Sequence, residues 1–237
     1  MKEVYIISGA SSPLGRTLTA SLLARNIACL LIVRDKTKLL SLDDHDSSLW
    51  QIIEGDLSSI KFISDLCLLI ERSKYVVRAF IHLAAQAPLD DFNADQLQTT
   101  FTVNVFSGWQ IARACIEKMA ISGGGRILFV GSVGHKFGGK PGRAGYSGSK
   151  FLLEFFPREF RTCAGQNILV NTLRLGVMKG GTQTMTGVDE KAFLSRVKLI
   201  PTGRAVTHNE AIRAIEFLCS TENQSIHNNV FMCTGGE

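Results

Sequence analysis

The sequence predicts an α/β fold, a central parallel sheet with helices on both faces in the doubly wound arrangement. Two observations predict it. Short apolar runs alternate with longer amphipathic stretches along all 237 residues. Such alternation calls for crossover connections, and these make the strands parallel and cover both faces of the sheet. The first apolar run also passes through a glycine-bearing turn directly into a helical stretch, as sheets of this class begin. No internal repeat or low-complexity linker divides the chain, so residues 1–237 read as one domain.

Taken in order, Val4–Ser8 is a buried strand and Gly15–Arg25 a helix. Ala28–Val33 is the second strand, and Thr37–Leu42 begins another helix. Trp50–Glu54 is the third strand, followed by a helix over Ser59–Arg72 and a fourth strand over Ala79–Leu83. A long helix spans Gln96–Met119 and is stopped by the glycines at 123–125, since glycine adopts the left-handed conformation that ends helices. Arg126–Gly131 is a fifth strand, Ser147–Cys163 a helix and Ile168–Leu173 a sixth strand. Glu210–Cys219 and Asn229–Cys233 supply the last helix and strand. The stretch Met178–Gly187 has no period and precedes a helical segment at Asp189–Val197. Lying after the sixth strand, where such sheets place their crevice, residues 178–200 read as a lid, with a plain surface loop as the alternative.

The bulk properties narrow the function classes. Apolar residues are 45% and charged residues 20%, enough for a core and too ordinary for disorder. The net charge of +5 is scattered rather than gathered into a stripe, which argues against nucleic acid and suits anionic small molecules. The six cysteines form no C-x-x-C pair, so the expectation is free, mostly buried thiols in a reducing compartment and no metal. Met1-Lys2-Glu3 runs into the first strand without a leader, and no apolar run is long enough for a bilayer. Cytoplasmic residence is expected.

Two constellations carry chemistry. In Ser8-Gly9-Ala10-Ser11-Ser12-Pro13-Leu14-Gly15 the glycines permit a tight turn, and the helix that follows offers unpaired N–H groups and its positive dipole end to a pyrophosphate. By itself the alternative is an ordinary strand-to-helix turn. The second is Ser132, at the end of the fifth strand, with Tyr146 and Lys150 one helical turn apart. An ammonium beside a phenol lowers the phenol's pKa, and a hydroxyl at a strand end can stabilise a developing oxyanion. Tyr-x-x-x-Lys alone is just as well an amphipathic pair.

Together these residues resemble the short-chain dehydrogenase/reductase family, closest to its 3-oxoacyl-[acyl-carrier-protein] reductases. The family's turn is Thr-Gly-x-x-x-Gly-x-Gly; here Ser8 replaces the threonine and Pro13 the middle glycine, which removes one donor but suits a first helical position. Asp56-Leu57 matches the pair that contacts adenine, Asn104 the helix asparagine, and Pro201-x-Gly203-Arg204 and Gly235-Gly236 the late signatures. His82-Leu83-Ala84-Ala85 departs from the usual Asn-Asn-Ala-Gly, and Leu175-Gly176 from Pro-Gly. The resemblance implies a Rossmann domain and an oxidoreductase acting on alcohol or carbonyl groups. It implies Tyr146 as proton donor in reduction, Lys150 on the nicotinamide ribose, Ser132 on the substrate oxygen and Asn104 holding a water in a relay toward Lys150. Gly9, Ser11, Ser12, Leu14, Gly15, Arg34, Asp56, Leu57, Ala84, Tyr146, Lys150 and Met178 are then the cofactor-binding set.

NAD-preferring relatives carry an acid at the end of the second strand; here Val33 is followed by Arg34, which favours NADP(H) over NAD(H). Arg34 as a solvated loop charge is the alternative. The expected reaction is ketone reduction, with a 3-oxoacyl thioester as substrate and acyl carrier protein as a candidate partner. Lys136, Lys140 and Arg143 are the candidate docking cations, otherwise solvated charges, and His135 reads as a surface histidine. Alternatives are a dehydrogenase of a sugar, steroid or other small alcohol, and a non-catalytic NADP(H)-binding regulator. Pro157 should kink the helix Ser147–Cys163, whose stripe Phe151, Phe155, Phe156 and Phe160 suits either a core or the subunit contact of a homodimer or homotetramer.

Overall fold

The computed structural model describes residues 2–42, 45–88, 93–139, 142–179 and 190–237. Seven strands form one sheet: β1 (Glu3–Ser8), β2 (Cys29–Val33), β3 (Trp50–Glu54), β4 (Val76–His82), β5 (Gly125–Ser132), β6 (Ile168–Leu175) and β7 (Val230–Cys233). Their order across the sheet is β3-β2-β1-β4-β5-β6-β7, and every pairing is parallel. The chain thus winds outward in both directions from the β1–β4 pair. This is the doubly wound fold that the alternating pattern predicts.

The strand sequences explain their place. Cys29-Leu30-Leu31-Ile32-Val33 is apolar at every position and buried at every position, as a strand covered on both faces must be. One core lies between the sheet and helices α2 (Ile60–Arg72) and α4 (Ser107–Ile121), with Ile63, Leu66, Ile70, Ile111, Cys115 and Met119 facing Val4, Ile6 and Phe80. The other joins α1 (Pro13–Ala24) and a late helix, His208–Cys219, to the opposite face, through Leu18, Leu22, Ile212 and Ile215 against Ile7, Leu31 and Ile81. That late helix starts on a capping box, Thr207 and Glu210 each satisfying the other's backbone N–H.

Three predicted elements differ. Lys36–Leu42 is a short 3₁₀ stretch rather than an α-helix. The long helix is α3 (Ala94–Phe101), a π-turn over Thr102–Phe106, then α4. The predicted helix Ser147–Cys163 is not one kinked helix. It is α5 (Ala144–Leu152), a non-helical stretch, and the short α6 (Arg158–Thr162), with Pro157 as the residue before α6. Proline disfavours helical backbone in the residue before it, so Phe156 leaves the helix and α6 begins afresh.

Of the segment 178–200, residues 180–189 lie outside the described residues. Met178 bridges to Val206, and α7 covers Glu190–Val197. All six cysteines are free thiols. Among the described residues no helix is long and apolar enough to cross a membrane.

Candidate active site

The carboxyl ends of β2, β1, β4, β5 and β6 open into one cavity of about 1340 Å³. Ligand pockets commonly run to roughly 300–1,000 Å³, so this one has room for a large cofactor and a small substrate together. It sits beside β1 and β4, where the chain order reverses, the crevice that doubly wound sheets use.

At one end lies the turn after β1. Gly9 takes φ of +72°, which glycine adopts without penalty. Ser12 caps α1 by accepting from the Gly15 N–H at 3.0 Å, and Pro13 is the first helical residue. The lost proline N–H is therefore one that no helical carbonyl would have paired. Gly9, Ser11, Ser12 and Leu14 line the cavity. Gly15 does not; it packs against the backbone of Gly9 and Ala10.

Further along the wall come Arg34, Lys38, Asp56 and Leu57, and beyond the turn Ala84 and Met178. Asp35, the neighbouring acid, is engaged by Thr37, whose N–H and hydroxyl donate to it at 3.0 and 2.5 Å. Those hydrogen bonds, chiefly the hydroxyl's, hold its pKa below the ordinary carboxylate value. Lys38, 3.9 Å from the same carboxylate, supplies a second cation beside Arg34 that sequence reasoning missed. Its signal was its spacing of four from Arg34 in a turn of helical sense.

At the other end Ser132, Tyr146 and Lys150 border the same cavity. Ser132 closes β5, and its hydroxyl accepts from the Gly134 N–H at 3.2 Å. Tyr146 and Lys150 sit one turn apart on α5. Lys150 is buried and donates to the Val130 carbonyl at 2.8 Å. Desolvation lowers its pKa to about 8.

Asn104 is buried at the π-turn and does not line the cavity. Its carboxamide accepts from the Gln86 N–H at 2.8 Å and donates to the Gln86 carbonyl at 3.0 Å and the Ser149 hydroxyl at 2.9 Å. It thereby ties the loop after β4 to the residue preceding Lys150. π-turns are rare and cluster at functional sites, but nothing in the amphipathic period of residues 96–119 marks one.

His135 is not a surface histidine: its side chain is 9% exposed and meets Glu154 at 2.9 Å. Glu154 also accepts from Arg174 on β6 at 2.7 and 2.5 Å. Arg143, the docking candidate, points inward and donates to the carbonyls of Ala87 and Pro88. Lys136 is exposed, and Lys140 lies outside the described residues.

These residues fit a nicotinamide dinucleotide. A helix N-terminus and hydroxyls line the cavity, two cations stand at one end, and a phenol and a buried amine one helical turn apart stand at the other.

The family model described as short chain dehydrogenase matches residues 3–192. Cyclopentanol dehydrogenase of Comamonas sp. (strain NCIMB 9872) is 32% identical over 153 residues, 63% of this chain and 60% of that enzyme's length. The 3-oxoacyl-[acyl-carrier-protein] reductase of Salmonella typhimurium is 25% identical over 250 residues, covering 99% of this chain and 96% of that one. A solved 4-hydroxyisoleucine dehydrogenase complexed with NADH superposes with a TM-score of 0.85 at 21% identity, covering 100% of this chain and 98% of that one, a likeness of fold. With the family model spanning most of its length, the chain belongs to the short-chain dehydrogenase/reductase family.

Proposed function

We propose that the chain is an NADP(H)-dependent ketoreductase that converts a ketone to a secondary alcohol, with a 3-oxoacyl thioester as the first substrate to test. The observation that carries this reading is the single cavity wall joining Arg34 and Lys38, the Ser11–Ser12 turn, and Ser132, Tyr146 and Lys150. The nicotinamide cofactor, when bound, supplies the hydride. Gly9, Ser11, Ser12 and Leu14 would hold its pyrophosphate, Asp56 and Leu57 its adenine and Arg34 and Lys38 its 2′-phosphate, with Ala84 and Met178 completing the wall. Gly15 contributes by packing α1 against the turn.

The substrate oxygen is the work of three side chains. The Ser132 hydroxyl donates to it and fixes its direction. The Tyr146 hydroxyl delivers the proton as that oxygen gains charge. With its pKa near 8, Lys150 stays largely cationic at pH 7 and stabilises the phenolate left behind. Asn104 acts by position, tying Gln86 to Ser149.

The full-length similarity to a 3-oxoacyl reductase supports the thioester reading. The inward turn of Arg143 favours a second substrate class, a small free ketone or alcohol, because it removes one cation from carrier docking. The similarity to a cyclopentanol dehydrogenase points the same way. The exposed rings of Phe106, Phe151 and Phe155 support a homodimer or homotetramer contact on the α4–α5 side, which light scattering checks.

Steady-state NADPH oxidation with an acyl-thioester mimic, a cyclic ketone and a keto sugar tests the proposal. Turnover of the thioester alone is expected. Turnover of the cyclic ketone alone selects the second class, and tight NADPH binding with no turnover of any ketone leaves a regulatory binder.

A further inference from the structure

His82 ends β4 with its ring fully buried, between the two parts of the site and in neither. Nδ1 lies 2.7 Å from the Ser8 hydroxyl, and Nε2 lies 3.1 Å from the backbone carbonyl oxygen of Asn104. The chemistry of these partners fixes the tautomer. A carbonyl oxygen only accepts, so Nε2 carries the hydrogen. Nδ1 is then a bare lone pair, and the Ser8 hydroxyl donates to it. Burial, and after it the Lys150 cation, pushes the imidazole pKa down to about 3, so the ring is neutral throughout the working pH range.

The helix side is shaped for this ring. A Cβ on Gly108 would stand 2.7 Å from His82 Cδ2. Phe80 and Phe129 flank the imidazole at centroid distances of 6.0 and 6.2 Å. Ser8 directly precedes Gly9 of the phosphate turn, and Asn104 directs its carboxamide to Gln86 and Ser149. A line of hydrogen bonds, joined through the backbone at Ser8 and Asn104, therefore runs from the turn by way of His82 to the residue next to Lys150.

We propose that His82 is a positioning residue that couples the occupancy of the phosphate turn to the π-turn at Asn104, and through it to the proton-transfer helix. The proposal rests on the reading of the cavity as a dinucleotide site. Asparagine ends at the δ position, so His82→Asn keeps a partner for Ser8 and loses the reach to Asn104. Glutamine places an amide N–H at the ε position and restores that reach, but its δ atom is carbon and leaves Ser8 without its acceptor.

Hydrogen–deuterium exchange of the full chain, with and without NADPH, tests the coupling without requiring turnover. In the wild-type protein NADPH is expected to slow exchange in the peptides covering 8–15 and 101–107. In His82→Asn the protection at 8–15 persists and that at 101–107 falls roughly five- to tenfold, the worth of one buried hydrogen bond. His82→Gln, which keeps the reach to Asn104 and loses the Ser8 acceptor, is expected to uncouple 101–107 as Ser8→Ala does. Ser8→Ala breaks the first link with the ring intact, and is expected to uncouple 101–107 in the same way should His82→Asn not fold. Undiminished protection at 101–107 in both His82→Asn and Ser8→Ala overturns the coupling. So does protection in the wild-type protein confined to 8–15. Absence of protection at 8–15 in the wild-type protein overturns the cofactor reading itself, and the coupling with it.

Discussion

Two prolines stand at helix starts, Pro13 on the cavity wall and Pro157 after the proton-transfer helix, but the two helices are held by different means. Pro13 opens the twelve residues of α1, with Ser12 beside it accepting the Gly15 N–H. Pro157 precedes the five residues of α6, where no side chain caps the helix. The second region is held from outside instead. Leu153, Phe156 and Phe160 are buried in the core, and Glu154 is gripped by His135 from the Ser132 loop and by Arg174 from β6. The cofactor turn thus adds local bonds, Ser12 to Gly9 and Gly15 to Ser12, to its backbone ties with β2 and β4. The region following the proton-transfer helix is closed by contacts with β5, β6 and their loops. Changes in the first region should act on cofactor binding, and changes in the second on chemistry and stability.

The largest effect tests that division directly. Tyr146→Phe is expected to lower turnover about 10²–10⁴-fold, the usual worth of a positioned acid or base. NADPH affinity, measured by fluorescence titration, is expected to stay within twofold or so, since the dinucleotide is held mainly by the other region. Retained turnover removes Tyr146 as proton donor.

Next is Glu154→Ala. Glu154 and Arg174 are 7% and 14% exposed, so the change leaves a half-buried guanidinium without its carboxylate. Loss of one partner of such a part-buried charged pair costs about 1.5–3 kcal/mol, read from urea unfolding. The exposed Arg25–Glu216 pair, with Arg25 54% exposed, is the control; Arg25→Ala should cost less than about 1 kcal/mol. Equal losses would mean that the second region is not held by its tertiary ties.

The same contrast explains what could be read from the residues alone. The parallel sheet, the phosphate turn and the Ser132, Tyr146 and Lys150 set follow from periodicity and short spacing, because each is determined within a few residues. The break after Leu152, the π-turn at Asn104 and the burial of His135 depend on partners about 20 residues away, such as Glu154, 19 residues from His135, and His82, 22 from Asn104. Their local pattern is that of an ordinary amphipathic helix or a polar loop. Pro157 was visible, but a kink and a full stop have the same sequence signature until Phe156 finds a core to enter.

Acid tests the link between the regions. His82 has a folded pKa of about 3 against an ordinary 6.5. Between those values the unfolded chain binds the extra proton, so stability falls as the pH drops from 6.5 toward 3, by about 1.4 kcal/mol per unit from this group. His82→Asn should flatten that part of the stability–pH curve, measured by urea midpoints. An unchanged slope would place the acid sensitivity elsewhere. A smaller effect belongs to the cofactor turn's side of the comparison. Arg34→Ala is expected to weaken NADPH binding roughly ten- to hundredfold, as loss of charge-assisted hydrogen bonds does, and to leave NADH nearly untouched. Equal loss for both cofactors would reject the 2′-phosphate assignment.

The smallest effect probes the prolines themselves. A proline inside a helix costs about 3 kcal/mol, so replacing it there stabilises. A proline whose native φ already suits it does the opposite, stabilising by about 0.4–1 kcal/mol through the unfolded chain. Pro157 has φ of −52° and lies outside both α5 and α6, while Pro13 occupies the first helical position of α1. Both Pro13→Ala and Pro157→Ala are therefore expected to lower stability slightly and by similar amounts. A gain of several kcal/mol for Pro157→Ala alone would mean that the chain prefers one continuous helix from Ala144 onward. The break would then be strain imposed by the proline, relieved at the expense of the Glu154 and Phe156 contacts, and not a junction that those contacts select.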